Sequence, residues 1–285
     1  MVVTGEDSTL GASPGARFGL DLKPRVAAAL AMGSVALAAA WIGGLVFAAF
    51  WWVASVAVLW EWQRLVGGAR LIGRVAVGAL ALALASLFAL HYSVSGVVAA
   101  LVLGAVAVGW VAGRTHAVWA AAGALYAGAL VVSLGLLRVS PSFGLAAILW
   151  LFAVVWGADV AAYFAGRSIG GPRLWPSVSP AKTWSGAIVG ALVGGSLGLA
   201  LWRRTNNPAA LFWLGLATAI VSELGDLFES ALKRRFGVKD ASGLIPGHGG
   251  LMDRLDAFIA ASLFAAAAAS LNSKGAFIAS GLFRW

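Results

Sequence analysis

Cysteine is absent from this chain, histidine is rare and charge is scarce. Without cysteine there are no disulfides, no thiolate nucleophiles and no thiolate metal sites. Three histidines, His91, His116 and His248, are too few and too scattered for a histidine-based zinc site. Only 11% of the 285 residues are charged, against about 25% in soluble domains. Apolar residues take their place, at 61% hydrophobic with a mean hydropathy of +0.91. A water-facing domain cannot bury that much apolar surface, so lipid is the solvent for most of the chain. Cations outnumber acids 20 to 11. In a membrane protein such an excess sits in cytoplasmic loops facing anionic lipid, which argues against nucleic acid as a partner.

Residues 1–24 are polar and carry no long apolar run, which reads as a disordered cytoplasmic tail with no cleavable signal peptide. From Val26 onward the chain is a series of apolar stretches near the ~20 residues needed to cross the hydrocarbon. Nine spans are predicted, at 26–43, 45–62, 73–90, 94–113, 117–137, 143–165, 186–202, 209–232 and 255–271. With the N-terminus inside, 15 of the 20 cations fall on the cytoplasmic side and 5 outside. That bias supports nine spans with the C-terminus outside; merging the first two would reverse it. The expected fold is therefore all-α and polytopic. Its parts are the tail, five helices over 25–142, and a catalytic region of four helices over 143–285. Residues 276–283 are too short to span and are expected at the membrane interface. The glycines of 186–198 read as a helix-packing stripe.

Seven of the eleven acids lie between 159 and 256: Asp159, Glu223, Asp226, Glu229, Asp240, Asp253 and Asp256. An acid within a span costs at least ~2.5 kcal/mol near the centre, so a cluster of them marks a site. On the eighth span Glu223, Asp226, Glu229, Ser230 and Lys233 share a sector of about 120°. The plainer alternative is a buried ion-pair network that only locks helices together, yet three acids need more than one cation to balance them. A divalent metal would supply the balance. Asp253 and Asp256, three apart, open the ninth span on one face. Oxygen ligands without cysteine or a histidine pair point to Mg²⁺.

Between these helices runs RRFGVKDASGLIPGHGGLMDR, residues 234–254, with glycines at 243, 247, 249 and 250. Glycines permit positive φ and let backbone N–H groups approach an anion. Beside a Mg²⁺ site this suits nucleoside-triphosphate chemistry. The 166–184 segment adds Lys182 and Thr183, stiffened by Pro172, Pro176 and Pro180. Trp184 reads as an interface anchor or a base-stacking ring. Glu61, between Trp60 and Trp62, reads as a partner of Arg64 or Arg70 at the cytoplasmic edge, and His91 and His116 as loop-end residues.

The run Ser230-Ala231-Leu232-Lys233-Arg234, then Lys239-Asp240, Gly243, Pro246, His248-Gly249-Gly250 and Asp253-Arg254-Leu255-Asp256, resembles the C-terminal motif of phosphatidate cytidylyltransferases, the CDP-diacylglycerol synthases. Upstream, Glu223, Gly225–Glu229, Asp159, Ala162-Tyr163-Phe164, Gly166-Arg167, Ser179-Pro180 and Lys182-Thr183-Trp184 continue the likeness. Two positions depart from it: Ser185 stands where the family commonly has an acid, and Ala181 where lysine is frequent.

The resemblance implies an all-helical enzyme with nine spans; the short loops and the lack of a targeting signal point to a bacterial inner membrane, and the charge distribution puts the active site on the cytoplasmic side. Its partners would be CTP, phosphatidate and membrane lipid, with dimers among family members. Its cofactors would be Mg²⁺ and a monovalent cation such as K⁺. Asp226 and Asp253 are the first-choice metal ligands, with Glu223 and Asp256 next. Lys233 and His248 would act on the nucleotide phosphates. Lys182, Thr183, Arg234, Lys239, Asp240 and Arg254 would bind substrate, and Ser230 is either a ligand or a structural hydroxyl. Two other classes fit less well. A CTP-using lipid kinase would yield CDP and a phosphorylated lipid, and an ion-coupled transporter would place its acids between repeated halves.

Overall fold

Among the described residues each of the nine apolar stretches contains a helix, because a backbone in lipid must satisfy its own hydrogen bonds. The computed structural model describes residues 30–201, 207–244, 249–274 and 277–285. The expected 1–24 tail lies outside them. The helices are α1 (Leu30–Ile42), α2 (Gly44–Val66), α3 (Leu71–Leu90), α4 (Val94–Ala112), α5 (Ala117–Arg138), α6 (Gly144–Ser168), α7 (Trp184–Ala200), α8 (Pro208–Arg235) and α9 (Met252–Asn272). Seven of them are long and apolar enough to cross a membrane; α1 and α7 are apolar but shorter. The break between α1 and α2 is made by Gly43 and Gly44, both at positive φ.

Helices α2 to α5 pack on one another in succession, as do α6 to α9, and α5 and α2 contact α9 to join the two sets. The glycine stripe on α7 is a packing device, as expected. A Cβ on Gly198 would sit 3.0 Å from Gly215 Cα and 3.4 Å from the Trp150 ring. The Trp150 Nε1–H donates to the Gly198 carbonyl at 2.9 Å, an exchange available only at such close approach.

One feature differs from the all-α expectation. Between α6 and α7 lies an antiparallel hairpin, β1 (Arg173–Trp175) and β2 (Ser179–Thr183), with Arg173 opposite Thr183 and Trp175 opposite Ser179. Pro172, Pro176 and Pro180 exclude helix here, and the pairing satisfies backbone groups that have left the bundle. The last described segment ends in a short helix, α10 (Ser280–Phe283), that packs on α9. Leu282 and Phe283 are buried in protein, and Asn272 Nδ2 donates to the Gly281 carbonyl at 3.2 Å. Its apolar side chains are covered by neighbouring helices.

Candidate active site

The C-terminal end of α6, the hairpin, the C-terminal half of α8 and the start of α9 meet at one end of the bundle. Thr183 fixes the hairpin to α7, its hydroxyl capping the helix by accepting from Gly186 N at 3.2 Å. Ser185 donates to the Gly170 carbonyl at 2.5 Å, closing the turn after α6. These anchors aim Lys182 at α8. Its Nζ lies 2.5 Å from Glu223 Oε2 and 2.7 Å from Asp226 Oδ2. Burial alone would lower the Lys182 ammonium, but Asp226 and Glu223 more than offset this and hold it above the usual lysine range.

A second lysine bridges α8 to α9. Lys233 Nζ sits 2.8 Å from Glu229 Oε2, one turn back on its own helix, and donates to Asp253 Oδ1 at 2.8 Å. Asp253 also accepts from Gly250 N at 2.8 Å and from Ala241 N at 3.2 Å. Its oxygens thus hold both ends of the glycine-rich loop.

Oxygens of Asp226, Glu229 and Asp256 lie within 4.8 Å of one another. Glu229 and Asp256 are buried, at 1% and 7% exposed. Three acids converging on one point, with Lys233 beside one and Lys182 beside another, form a hard-oxygen set that fits a small divalent cation. Of the four ligands expected from sequence, Asp226 and Asp256 fall in this cluster. Glu223 and Asp253 lie beside it, each ion-paired with a lysine. Glu229 joins the cluster in their place; its membership of the acidic α8 face was the signal for it.

The other expected residues surround this core. Ser230 Oγ donates to Asp226 Oδ1 at 3.3 Å, orienting that carboxylate. Arg234, Lys239 and Asp240 are exposed where the chain leaves α8, and Arg254 is exposed on α9. Trp184 is exposed at the start of α7. His248 lies outside the described residues.

Glu61 departs from its expected pairing with Arg64 or Arg70. It is fully buried and accepts from Ser242 Oγ at 2.5 Å, Leu251 N at 2.9 Å and Met252 N at 2.6 Å. The N–H groups that open α9 offer a short, dry contact that an exposed arginine on α2's own end does not match. The sequence signal was a lone acid on an apolar helix; its partners lie about 190 residues away and no local pattern names them.

A cavity of about 2040 Å³ opens against the cluster. One part is lined by Lys182, Asp226, Lys233, Asp253 and Arg254, and another by apolar side chains of α1, α2 and α6, among them Val35, Phe50 and Trp156. Asp159 also lines the cavity, exposed to that space. Trp51, Phe152 and Phe258 close the apolar part as a stack, with ring centroids 5.5 Å apart for Trp51 and Phe258 and 5.3 Å for Phe152 and Phe258. The space accommodates an amphiphile, charged at one end and greasy at the other.

The fold and this site define a helical membrane protein with a carboxylate and lysine centre at one end of its bundle. The chain belongs to the cytidylyltransferase family, whose sequence profile matches residues 23–271. It is 41% identical over 257 residues to a protein of Brucella suis named phosphatidate cytidylyltransferase, covering 85% of this chain and 91% of the relative. A Haemophilus influenzae protein of the same name is 44% identical over 131 residues, 44% of this chain and 46% of the relative. One from Bacillus subtilis is 40% identical over 126 residues, 43% of this chain and 47% of the relative. The family inferred from the motifs is the family found, and the chain is a nucleotidyltransferase.

Proposed function

We propose that the chain transfers the cytidylyl group of CTP to phosphatidate, releasing pyrophosphate and forming CDP-diacylglycerol for phospholipid synthesis. The observation that carries this reading is the cavity, whose charged part suits phosphates and whose apolar part suits acyl chains. The names of the relatives support it. The 15-to-5 distribution of cations supports nine spans, with the charged end facing the cytoplasm where CTP is found.

In this reading an oxygen of the lipid phosphate forms a bond to the α-phosphorus of CTP, and the α–β bridging bond breaks with its electron pair leaving on pyrophosphate. The nucleophile is already an anion at neutral pH, so the protein's work is positioning and charge neutralisation. Lys182 holds one phosphate group from the hairpin side, and Lys233 and Arg254 hold another from α8 and α9. The apolar wall keeps the acyl chains in register with their headgroup. Asp226, Glu229 and Asp256, with Asp253 and Glu223 alongside, are the residues that would hold Mg²⁺. That ion would neutralise charge on the triphosphate.

The test uses purified protein in detergent with phosphatidate, Mg²⁺ and CTP labelled at the α-phosphate. Label should move into the lipid fraction, and EDTA or Asp226→Asn should abolish the transfer. If folded protein moves no α-label into lipid, the reading fails. Transfer of γ-label to a lipid alcohol would identify a kinase instead.

A further inference from the structure

Glycine-rich loops ahead of a helix usually offer their N–H groups to a substrate anion. Here the three N–H groups next to the helix, those of Gly250, Leu251 and Met252, already have acceptors within the protein. Leu251 N and Met252 N donate to Glu61, and Gly250 N donates to Asp253. The glycine at 250 is required for this reason, since a Cβ there would lie 2.7 Å from Glu61 Oε1. Gly249, at φ +81, would place a Cβ 2.8 Å from Asp253 Oδ2.

The two carboxylates divide the loop between them. Asp253 takes Ala241 N at the loop's start and Gly250 N at its end. Glu61 takes Ser242 Oγ at the start and the α9 amides at the end. Both clamps therefore draw the same two strands of chain together, and one of them comes from α2, a helix outside the motif-bearing region. The turn so fixed carries Asp253 itself and, one helical turn on, Asp256 of the carboxylate cluster.

We propose that Glu61 is a positioning residue of the active site. Through its contacts with Ser242, Leu251 and Met252 it sets the placement of Asp253 and Asp256, and hence the affinity of the carboxylate cluster for a divalent ion. Its carboxylate fills the role that a substrate phosphate has at other glycine-rich helix starts, which leaves phosphate binding to the lysines. A glutamine in its place would turn an NH₂ toward a backbone N–H, removing one acceptor while keeping size and burial. An aspartate, one methylene shorter, cannot reach Ser242 and the α9 amides together.

The proposal rests on the cytidylyl-transfer reading for its kinetic arm, so the experiment carries a second arm that needs no activity. Glu61→Gln and Ser242→Ala are purified beside the wild type and checked for elution volume and melting temperature. Amide exchange is then followed by mass spectrometry, and label transfer is measured against Mg²⁺ concentration. In Glu61→Gln, exchange over 249–253 should quicken about tenfold with α2 and the rest of α9 unchanged, and Mg²⁺ half-saturation should rise about tenfold, the scale of groups that orient metal ligands. Ser242→Ala should give a smaller shift of the same kind. Wild-type exchange in Glu61→Gln would overturn the proposal. So would a fall in melting temperature and turnover with Mg²⁺ half-saturation unmoved, because that marks a purely structural acid. If the wild type itself transfers no label, the functional reading fails and the exchange arm alone decides whether Glu61 fixes the loop.

Discussion

Lys233 and Asp253 join α8 to α9 through a single contact, Nζ to Oδ1 at 2.8 Å, in a setting where each is largely buried. The same ammonium serves Glu229, so one cation balances two acids on two helices. Removing it leaves both acids uncompensated. Breaking a buried pair from one side costs about 3–5 kcal/mol. Lys233→Met should lower stability on that scale, read as thermal unfolding in detergent. The double variant Lys233→Met/Glu229→Gln should recover part of the loss, because only one uncompensated acid remains.

Lys182 belongs to the hairpin but pairs with Glu223 and Asp226 of α8, so its loss should strike the chemistry first and cost some stability as well. Lys182→Met should reduce turnover by about 10²–10³-fold, the effect of removing one preorganised donor from a developing charge. The melting temperature should fall by less than in Lys233→Met, because Asp226 and Glu223 are more exposed than Glu229 and Asp253. Label transfer from α-labelled CTP is the measurement. The pH profile gives a second check. The folded pKa of Lys182 is raised, so its ion pairs contribute fully below the unfolded lysine value and are lost only as pH climbs through the higher folded one. Between about pH 6 and 9 the profile of Lys182→Arg should therefore match the wild type, whatever its amplitude.

Gly198 tests the α7 stripe away from the site. A side chain there meets Gly215, the Leu211 carbonyl at 3.3 Å and Trp150. Gly198→Val should destabilise by about 1–3 kcal/mol through overpacking, seen as a lower melting temperature and reduced yield of monodisperse protein. Folded Gly198→Val should keep its Mg²⁺ dependence, since the substitution touches no charged residue of the site.

Hydropathy alone located the helices closely, because a span's length is set by the bilayer and its composition by lipid. The expected stretch 94–113 became Val94–Ala112, and 117–137 became Ala117–Arg138. Helical period also put Glu223, Asp226 and Glu229 on one face. Which of those acids meets a lysine and which meets another acid depends on how α8 is rotated against α9 and the hairpin, and one helix's period does not encode that. The hairpin was hidden because proline-stiffened loops read the same whether or not they pair. Thr183 looked like a substrate contact, since a threonine after a lysine is as suitable for phosphate as for the helix cap it makes. Glu61 was visible as an anomaly, while its partners required the fold.

With CTP in the charged part of the cavity and phosphatidate in the apolar part, as proposed, the enzyme works on two concentration scales at once. Its nucleotide arrives from three-dimensional solution, where molarity governs encounter. Its lipid arrives within a surface, where the mole fraction of substrate among its neighbours governs encounter instead. Diluting phosphatidate with inert detergent at fixed molarity should then slow the reaction as surely as withholding CTP.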